Sequence, residues 1–217
     1  MRASPVEQLG RIAETADKEL RTAVGSVAEV RHDPFFVLIS TLISLRTKDE
    51  VTHAASQRLF SLAASPESLA ALPLSTIEEA IYPAGFYRNK ARQLKGSARI
   101  IAEEHGGRTP ETLEELMALP GVGRKTANLV LGLGFGIPAI CVDIHVHRIS
   151  NRLGWIETET PEQSEYALMS LFPREHWIPL NELLVRFGQQ QCTPVSPFCS
   201  TCPLSEECPK VGVSRHR

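Results

Sequence analysis

The apolar positions of this chain recur at helical spacing, and the alternation typical of a half-buried strand is nearly absent. After Phe86, apolar or small residues follow at Ala91, Leu94, Ala98 and Ile101, which places them on one face of a helix. Cap-like residues precede three further helical runs: Asp33-Pro34 before 35–43, Asp49 before 50–62, and Thr160-Pro161 before 162–171. Glycine and proline separate these runs, so the pattern predicts about ten short helices and an all-α fold.

Two features of the chain bear on its location. The first 20 residues predict an amphipathic helix and contain no apolar export segment. The longest apolar run, 129–142, has 14 residues that include three glycines and a proline, which is too short to span a bilayer. We therefore expect a soluble, cytoplasmic protein.

Composition excludes some classes and leaves others open. The 217 residues are 42% hydrophobic and 22% charged, with 23 Lys and Arg against 25 Asp and Glu and a net charge of −2. These values are ordinary for a globular protein and exclude a strongly basic nucleic-acid coat protein. The distribution is uneven, since basic residues gather in 88–99, 124–125, 148–152 and 210–217. This distribution predicts one basic groove on an otherwise acidic surface.

Four of the five cysteines lie close together near the C-terminus. Cys192, Cys199, Cys202 and Cys208 form a C-x6-C-x2-C-x5-C pattern. With no export segment and an odd number of cysteines, a disulfide framework is disfavoured. Four thiolates at this density suit either zinc or a four-iron four-sulfur cluster, and the spacing alone leaves both open.

A proline and two glycines interrupt the helical pattern in the sequence LPGVGRKTA, residues 119–127. They predict a sharp turn followed by a helix from Arg124, whose free N–H groups and positive dipole end suit a phosphate. Gly121 and Gly123 would let the backbone approach that anion closely. A plain helix–helix turn is the alternative. We expect Lys125, at the start of the helix, to be partly buried, which favours the neutral amine that can attack a sugar carbon. An exposed surface lysine is the alternative.

The segment VDIHVHRI, residues 142–149, allows two interpretations. As a strand, it would place Asp143, His145 and His147 on one face, as in a metal site. As a helix, it would have Asp143 as its N-cap, and the two histidines would diverge. The apolar residues that follow and the proline before it favour the helix.

A basic stretch without acidic residues begins at Phe86. Its five cations, Arg88, Lys90, Arg92, Lys95 and Arg99, recur along one predicted helix. Positive charge beside aromatic residues suits phosphate contacts and a wedge into a base stack. A solvated helix face is the alternative.

Together these motifs resemble the endonuclease III family of DNA glycosylases, within the helix-hairpin-helix superfamily. The resemblance runs from Asp33 to Cys208 through LPGVGRKTAN (119–128), VDIHVHRISNR (142–152), GFYRNKA (85–91) and the cysteine pattern. It implies two helical domains that flank a DNA-binding groove: a six-helix domain with the helix-hairpin-helix at 27–137, and an iron–sulfur cluster domain formed by 1–26 and 138–217. It also implies one 4Fe-4S cluster on the four cysteines.

The resemblance implies a role for individual residues. Lys125 would attack C1′ of a flipped nucleotide, and Asp143 would stabilise the developing charge on the sugar. The implied DNA contacts are the hairpin residues Gly121, Val122, Gly123 and Arg124, the cations Arg88, Lys90 and Arg148, and the wedge residues Arg46 and Phe86. Arg46 stands where many members have glutamine, and Ile144 stands where threonine is usual.

The expected function is removal of oxidised pyrimidines from double-stranded DNA, followed by β-elimination on the 3′ side of the abasic site. We expect a monomer that works at the nucleoid. One alternative is a monofunctional mismatch glycosylase acting on thymine, uracil or adenine. The other is a noncatalytic DNA-binding iron–sulfur protein.

Overall fold

The computed structural model describes residues 3–15, 22–31 and 33–217, and within these ranges it contains helices and no strand. The all-α prediction is therefore confirmed. Twelve α-helices lie in the described ranges: α1 (Pro5–Thr15), α2 (Ala23–Arg31), α3 (Pro34–Ser44), α4 (Asp49–Leu62), α5 (Pro66–Ala71), α6 (Leu74–Ile81), α7 (Tyr87–Glu104), α8 (Leu113–Ala118), α9 (Arg124–Phe135), α10 (Ile144–Arg152), α11 (Pro161–Leu171) and α12 (Trp177–Gln190).

The helix predicted over the first 20 residues is observed as α1. Residues 1, 2 and 16–20 of that prediction lie outside the described residues. In the part of the chain that the structure describes, no helix is both long and apolar enough to cross a membrane.

Local capping chemistry explains most of the helix starts. The Asp33 side chain accepts a hydrogen bond from Phe35 N at 2.8 Å, and Thr160 caps α11 through Gln163 N at 3.2 Å, as the sequence predicted. Asp49 differs, because it is the first residue of α4 rather than its cap. Its carboxylate accepts instead from Ala23 N at 3.3 Å, and so links α4 to the start of α2.

The chain divides into two compact units. Residues 22–137 form one, here called the hairpin unit, and residues 1–21 with 138–217 form the other, here called the cysteine unit. The predicted boundary at 26/27 would cut α2, which packs on α3, α4 and α9 and lies wholly in the hairpin unit. The resemblance implies six helices in this domain, whereas the described part of the hairpin unit contains eight, α2–α9. Six of them have eight or more residues, and α5 and α8 have six each.

Helix α3 is the centre of the hairpin unit. Every residue from Phe35 to Ile43 is buried, because a helix that is apolar on all sides must be surrounded by others. Helices α2, α4, α7 and α9 pack around it. The approach to α9 is close, since a Cβ at Gly134 would lie 2.9 Å from the Cα of Pro34.

The core of the cysteine unit is aromatic and aliphatic. It is formed by α1, α10, α11 and α12 around buried Trp155, Phe172, Trp177 and Phe187. Each buried indole finds a partner, as its N–H requires. The Trp155 indole donates to Gln8 Oε1 at 2.5 Å, and the Trp177 indole donates to Phe172 O at 2.8 Å.

A glycine on α12 permits close packing against α10. A Cβ at Gly188 would lie 2.3 Å from His145 Nδ1 and 2.9 Å from Ile149 Cδ1. Gly10 on α1 offers the opposite case, since a Cβ there meets no atom within 4 Å.

We expect Gly188→Ala to lower the free energy of unfolding by about 1–3 kcal/mol, because the methyl group overpacks the α10–α12 contact. Gly10→Ala is the matched control in the same unit, and it should raise the free energy by about 0.5–1 kcal/mol through helix propensity alone. Denaturant unfolding of both variants measures the difference. Equal effects of the two substitutions would contradict the packing role of Gly188.

Candidate functional site

The segment between α8 and α9 forms the predicted sharp turn, and Leu119–Gly123 is here called the hairpin. Gly121 has φ +81°, and a Cβ there would lie 2.6 Å from Cδ of Gln93. The left-handed conformation favours glycine at this position, and a Cβ would also displace the end of the Gln93 side chain. Val122 points inward and is buried, so its side chain anchors the turn.

Gly123 differs from Gly121, because neither its conformation nor its packing requires glycine. It is the N-cap of α9 with φ −100° and ψ 174°, values that any residue can adopt. A Cβ there would meet no atom within 4 Å. The missing side chain therefore leaves the N-terminal end of α9 open to an approaching group, and that end carries a partial positive charge.

Helix α7 packs against the hairpin and holds it in place. Ser97 Oγ donates to Pro120 O at 3.1 Å, and a Cβ at Gly96 would lie 3.3 Å from the Pro120 ring. Together with Gln93 beneath Gly121, these contacts fix the hairpin to one face of α7. This support is not visible in the sequence motif.

Lys125 is the second residue of α9, and its side chain is exposed. The predicted partial burial is therefore wrong. The inward face of α9 carries Ala127 and Val130, and Lys125 lies about 200° around the helix from Ala127. The amine thus reaches solvent beside the open end of α9.

Asp143 caps α10, which confirms the helical interpretation of its segment. Its Oδ1 accepts from His145 N at 2.9 Å and from Val146 N at 2.9 Å. Both hydrogen bonds fall on the same oxygen, so the cap orients the carboxylate and leaves Oδ2 for a further partner. The segment preceding it in the chain is held by Asn181, whose side-chain amide donates to Cys141 O at 2.9 Å.

The histidines after Asp143 diverge, as the helix predicts. His147 Nδ1 lies 2.7 Å from Ser164 Oγ, whereas His145 Nδ1 lies 3.1 Å from Arg148 Nη2. The metal site that a strand would have formed is therefore not present at these residues.

The guanidinium group of Arg148 donates hydrogen bonds to backbone carbonyls of the cysteine unit. Its Nη2 donates to Cys192 O at 2.9 Å and to Gly188 O at 3.4 Å. One turn later, Arg152 donates to Thr193 O at 2.7 Å. These arginines hold the segment around the first cysteine. The half-buried Arg148 thus has a structural role, and the DNA contact implied for it stays a prediction.

The basic stretch on α7 separates into inward and outward cations. Lys90 is only 4% exposed, and Lys95 donates to Ala70 O at 2.7 Å and to Leu72 O at 2.5 Å. Arg88 and Arg92 are exposed. The burial of Lys90 is incompatible with the phosphate contact predicted for it. Burial also lowers the pKa of Lys90 to about 8.

Arg46 and Phe86 lie side by side at the surface. The guanidinium carbon of Arg46 is 5.7 Å from the Phe86 ring centroid, within cation–π range. Both residues have left-handed backbones, with φ +53° and +57°. Such a conformation costs about 1–3 kcal/mol at a residue other than glycine and persists only where the surroundings impose it.

The four C-terminal cysteines line one pocket, together with apolar side chains that include Leu153, Phe187 and Phe198. Within the described residues, no three His, Cys, Asp or Glu side chains form a group that could hold a metal ion. Burial raises the pKa of Cys202 to about 11 and also raises the pKa values of Cys199 and Cys208. Two donors face the sulfurs: Lys210 N at 3.3 Å from Cys208 Sγ, and Arg152 Nη1 at 3.6 Å from Cys192 Sγ.

Comparison with known proteins agrees with this arrangement. Residues 39–174 match the model of the HhH-GPD superfamily of base excision DNA repair proteins, and the chain belongs to that superfamily. It is 51% identical over 176 residues to endonuclease III of Thermotoga maritima, covering 81% of this chain and 83% of that protein. The resemblance to the endonuclease III family is thereby confirmed.

Solved structures support the same family assignment. A trapped endonuclease III–DNA covalent intermediate, in an estranged-adenine complex, matches with a TM-score of 0.83 at 35% identity and covers 94% of both chains. A thermostable thymine-DNA glycosylase matches with a TM-score of 0.81 at 26% identity, again over 94% of both chains.

We expect the two hairpin glycines to respond differently to alanine. Gly121→Ala should lower the free energy of unfolding by about 1–3 kcal/mol, because it forces a side chain into a left-handed conformation and against Gln93. Gly123→Ala should leave that free energy within about 0.5 kcal/mol of the wild type. Thermal unfolding measures both. Equal destabilisation would contradict the conclusion that Gly123 keeps the start of α9 open to an approaching group rather than serving the fold.

Proposed function

We propose that this protein is a DNA glycosylase with lyase activity, which removes oxidised pyrimidines from duplex DNA and nicks the strand at the resulting abasic site. The observation that carries the proposal is the exposed amine of Lys125 beside a hairpin whose Gly123 leaves the start of α9 open. An attacking amine and an anion site are then adjacent in the chain. Membership of a base excision repair superfamily supports the same chemistry.

Lys125 is the nucleophile in this proposal. Its neutral amine forms a bond to C1′, and the glycosidic bond breaks with its electron pair leaving on the base, which takes up a proton. The C1′–O4′ bond then breaks and O4′ takes up a proton, so the sugar ring opens and a protonated Schiff base forms between Lys125 and C1′. Loss of a C2′ proton then expels the 3′ phosphate by β-elimination, and water hydrolyses the Schiff base to release the lysine.

Asp143 supplies negative charge to this reaction. Positive charge develops on the sugar as the base departs, and a fixed carboxylate stabilises it. The two hydrogen bonds to Oδ1 hold the carboxylate in one orientation, so the remaining oxygen serves the reaction without reorganisation. Asp143 also helps to activate the amine.

Double-stranded DNA with a damaged base or an abasic site is the proposed partner of the monomeric protein. The N–H groups of Gly121 and Gly123 contact a phosphate, as expected at the positive end of a helix. The N–H group of Val122, which the resemblance also implied as a contact, donates instead to Leu119 O at 3.1 Å. Arg124 adds charge at the start of α9, Arg88 adds exposed charge at the start of α7, and Arg46 with Phe86 enters the base stack. Because the proposed partner is DNA, the proposed place of action is the nucleoid.

Borohydride reduction tests the nucleophile. Wild-type protein mixed with an abasic duplex should give a covalent adduct, because reduction converts the Schiff base to a stable amine. Lys125→Ala should abolish that adduct. Lys48→Ala is the matched control, since Lys48 is also exposed and also adjoins a helix start, and it should trap like the wild type.

The similarity to a thymine-DNA glycosylase makes a monofunctional mismatch enzyme the second candidate. That enzyme would release the base through water and would give no lysine adduct. Trapping at the wild-type level by Lys125→Ala would overturn the assigned nucleophile, and the absence of any adduct with wild type would favour the second candidate.

We also propose that Cys192, Cys199, Cys202 and Cys208 hold one 4Fe-4S cluster. In such a cluster each sulfur binds a different iron, so the thiolates line a pocket rather than converge on one ion. The four cysteines have this arrangement, and the donors from Arg152 and Lys210 suit negatively charged sulfurs. When bound, the cluster stabilises the segment between Cys192 and Cys208.

Metal analysis of the purified protein tests this ligand set. About four iron atoms per chain, with an equal amount of acid-labile sulfide and a broad visible absorption band, are expected. Cys202→Ser should reduce the iron content, whereas Cys141→Ser, outside the pocket, should retain it. A colourless protein with one zinc ion per chain would contradict the proposed cluster.

A further inference from the structure

The buried ammonium group of Lys90 makes three hydrogen bonds within the hairpin unit. Its Nζ donates to Ile43 O at 2.6 Å, to Leu45 O at 2.5 Å and to Thr47 Oγ1 at 2.7 Å. A lysine ammonium has three hydrogens and no acceptor, so these partners satisfy it completely. The basic stretch of α7 predicted none of these three hydrogen bonds.

The partners of Lys90 explain why a lysine occupies this buried position. Ile43 O and Leu45 O lie at the C-terminal end of α3, where the last carbonyls of a helix lack partners within the helix. The negative end of the helix dipole also favours a cation there. Lys90 therefore terminates α3 from a different helix.

Two of the three acceptors of Lys90 belong to the residues on either side of Arg46. Leu45 and Thr47 are its two chain neighbours, and Thr47 Oγ1 also accepts from Gly85 N at 3.1 Å. A Cβ at Gly85 would lie 2.5 Å from Arg46 O. Lys90, Thr47 and Gly85 thus join the segment after α3 to the turn before α7, and we name these three residues the clip.

The clip lies directly beneath the two residues with left-handed backbones. Arg46 adjoins Thr47, and Phe86 adjoins Gly85. Both side chains are exposed, with Phe86 at 67%, so the clip buries its own polar groups and presents this pair to solvent. The pair comes from two segments that are forty residues apart, and the clip and the Arg46–Phe86 contact join these segments at the surface.

We propose that Lys90 is a positioning residue, whose clip holds Arg46 and Phe86 as one rigid wedge that enters duplex DNA where a nucleotide is turned out. This inference rests on the proposed function. A preorganised wedge lowers the cost of extruding the nucleotide, because its two side chains need no ordering when they enter the stack. Lys90 itself touches neither the DNA nor the reacting sugar.

Two substitutions disrupt the clip, and two controls match them. Lys90→Met removes the ammonium at similar volume, and Thr47→Val removes the hydroxyl that both Lys90 and Gly85 use. Thr47→Ser restores that hydroxyl. Lys95→Met is the second control, because Lys95 lies on the same helix and donates in the same way to two carbonyls, Ala70 O and Leu72 O, at the end of α5.

Fluorescence measures entry of the wedge without any chemistry. A duplex carries a tetrahydrofuran abasic analogue, with 2-aminopurine opposite it to report loss of stacking. At saturating protein, the wild type, Thr47→Ser and Lys95→Met should raise the fluorescence equally. Lys90→Met and Thr47→Val should give less than about half of that increase, since the wedge is no longer held in register.

Single-turnover rates separate positioning from chemistry. On a duplex with an oxidised pyrimidine, Lys90→Met and Thr47→Val should be slower than the wild type by about 10–100-fold. On a single-stranded abasic oligonucleotide, which needs no extrusion, their nicking rates should stay within about twofold of the wild type. Lys95→Met should leave the ratio of the two rates unchanged.

The inference is overturned if Thr47→Val keeps the wild-type fluorescence and rate ratio, or if the clip variants lose both rates in proportion, as a merely structural role requires. Failure of the proposed function gives a different result, in which the wild type itself nicks neither substrate. The fluorescence measurement then still decides whether the clip presents a wedge to DNA.

Discussion

A buried ammonium group must find hydrogen-bond acceptors, and in the hairpin unit that requirement organises the surface around it. Lys90 takes its acceptors from the end of α3 and the segment that follows. Farther along the same helix, Gln93, Gly96 and Ser97 fix the hairpin. Helix α7 is therefore a common support for the surface pair Arg46–Phe86 and for the open end of α9.

The sequence predicted the elements whose chemistry is local. Asp33, Thr160 and Asp143 each cap a helix as expected, because a cap needs only residues within the next turn. Local pattern did not show which cations of α7 point inward and which point outward. Lys90 precedes Leu94 by four residues and so shares its buried face, a signal that the spacing contained. Its acceptors lie more than forty residues away, and no local pattern shows that Lys90 is hydrogen-bonded rather than exposed.

Glycines illustrate the same limit in another form. The sequence shows the same residue at Gly121, Gly123 and Gly188, but the structure gives each a different reason. Gly121 is required by a left-handed backbone, Gly188 by the approach of α10, and Gly123 by neither. The exposure of Lys125 has a related explanation, because the apolar run that follows it does not determine the direction of its own side chain. The direction follows from the angular position of Ala127 on α9.

The left-handed backbones of Arg46 and Phe86 also restrict which amino acids these positions accept. A side chain branched at Cβ crowds its own backbone in this conformation, so valine, isoleucine and threonine are excluded at both positions irrespective of their size or polarity. Residues with an unbranched Cβ remain, whether flat and aromatic or long and polar. The backbone thus restricts the side chains that positions 46 and 86 can carry, and both the guanidinium of Arg46 and the aromatic ring of Phe86 meet this restriction.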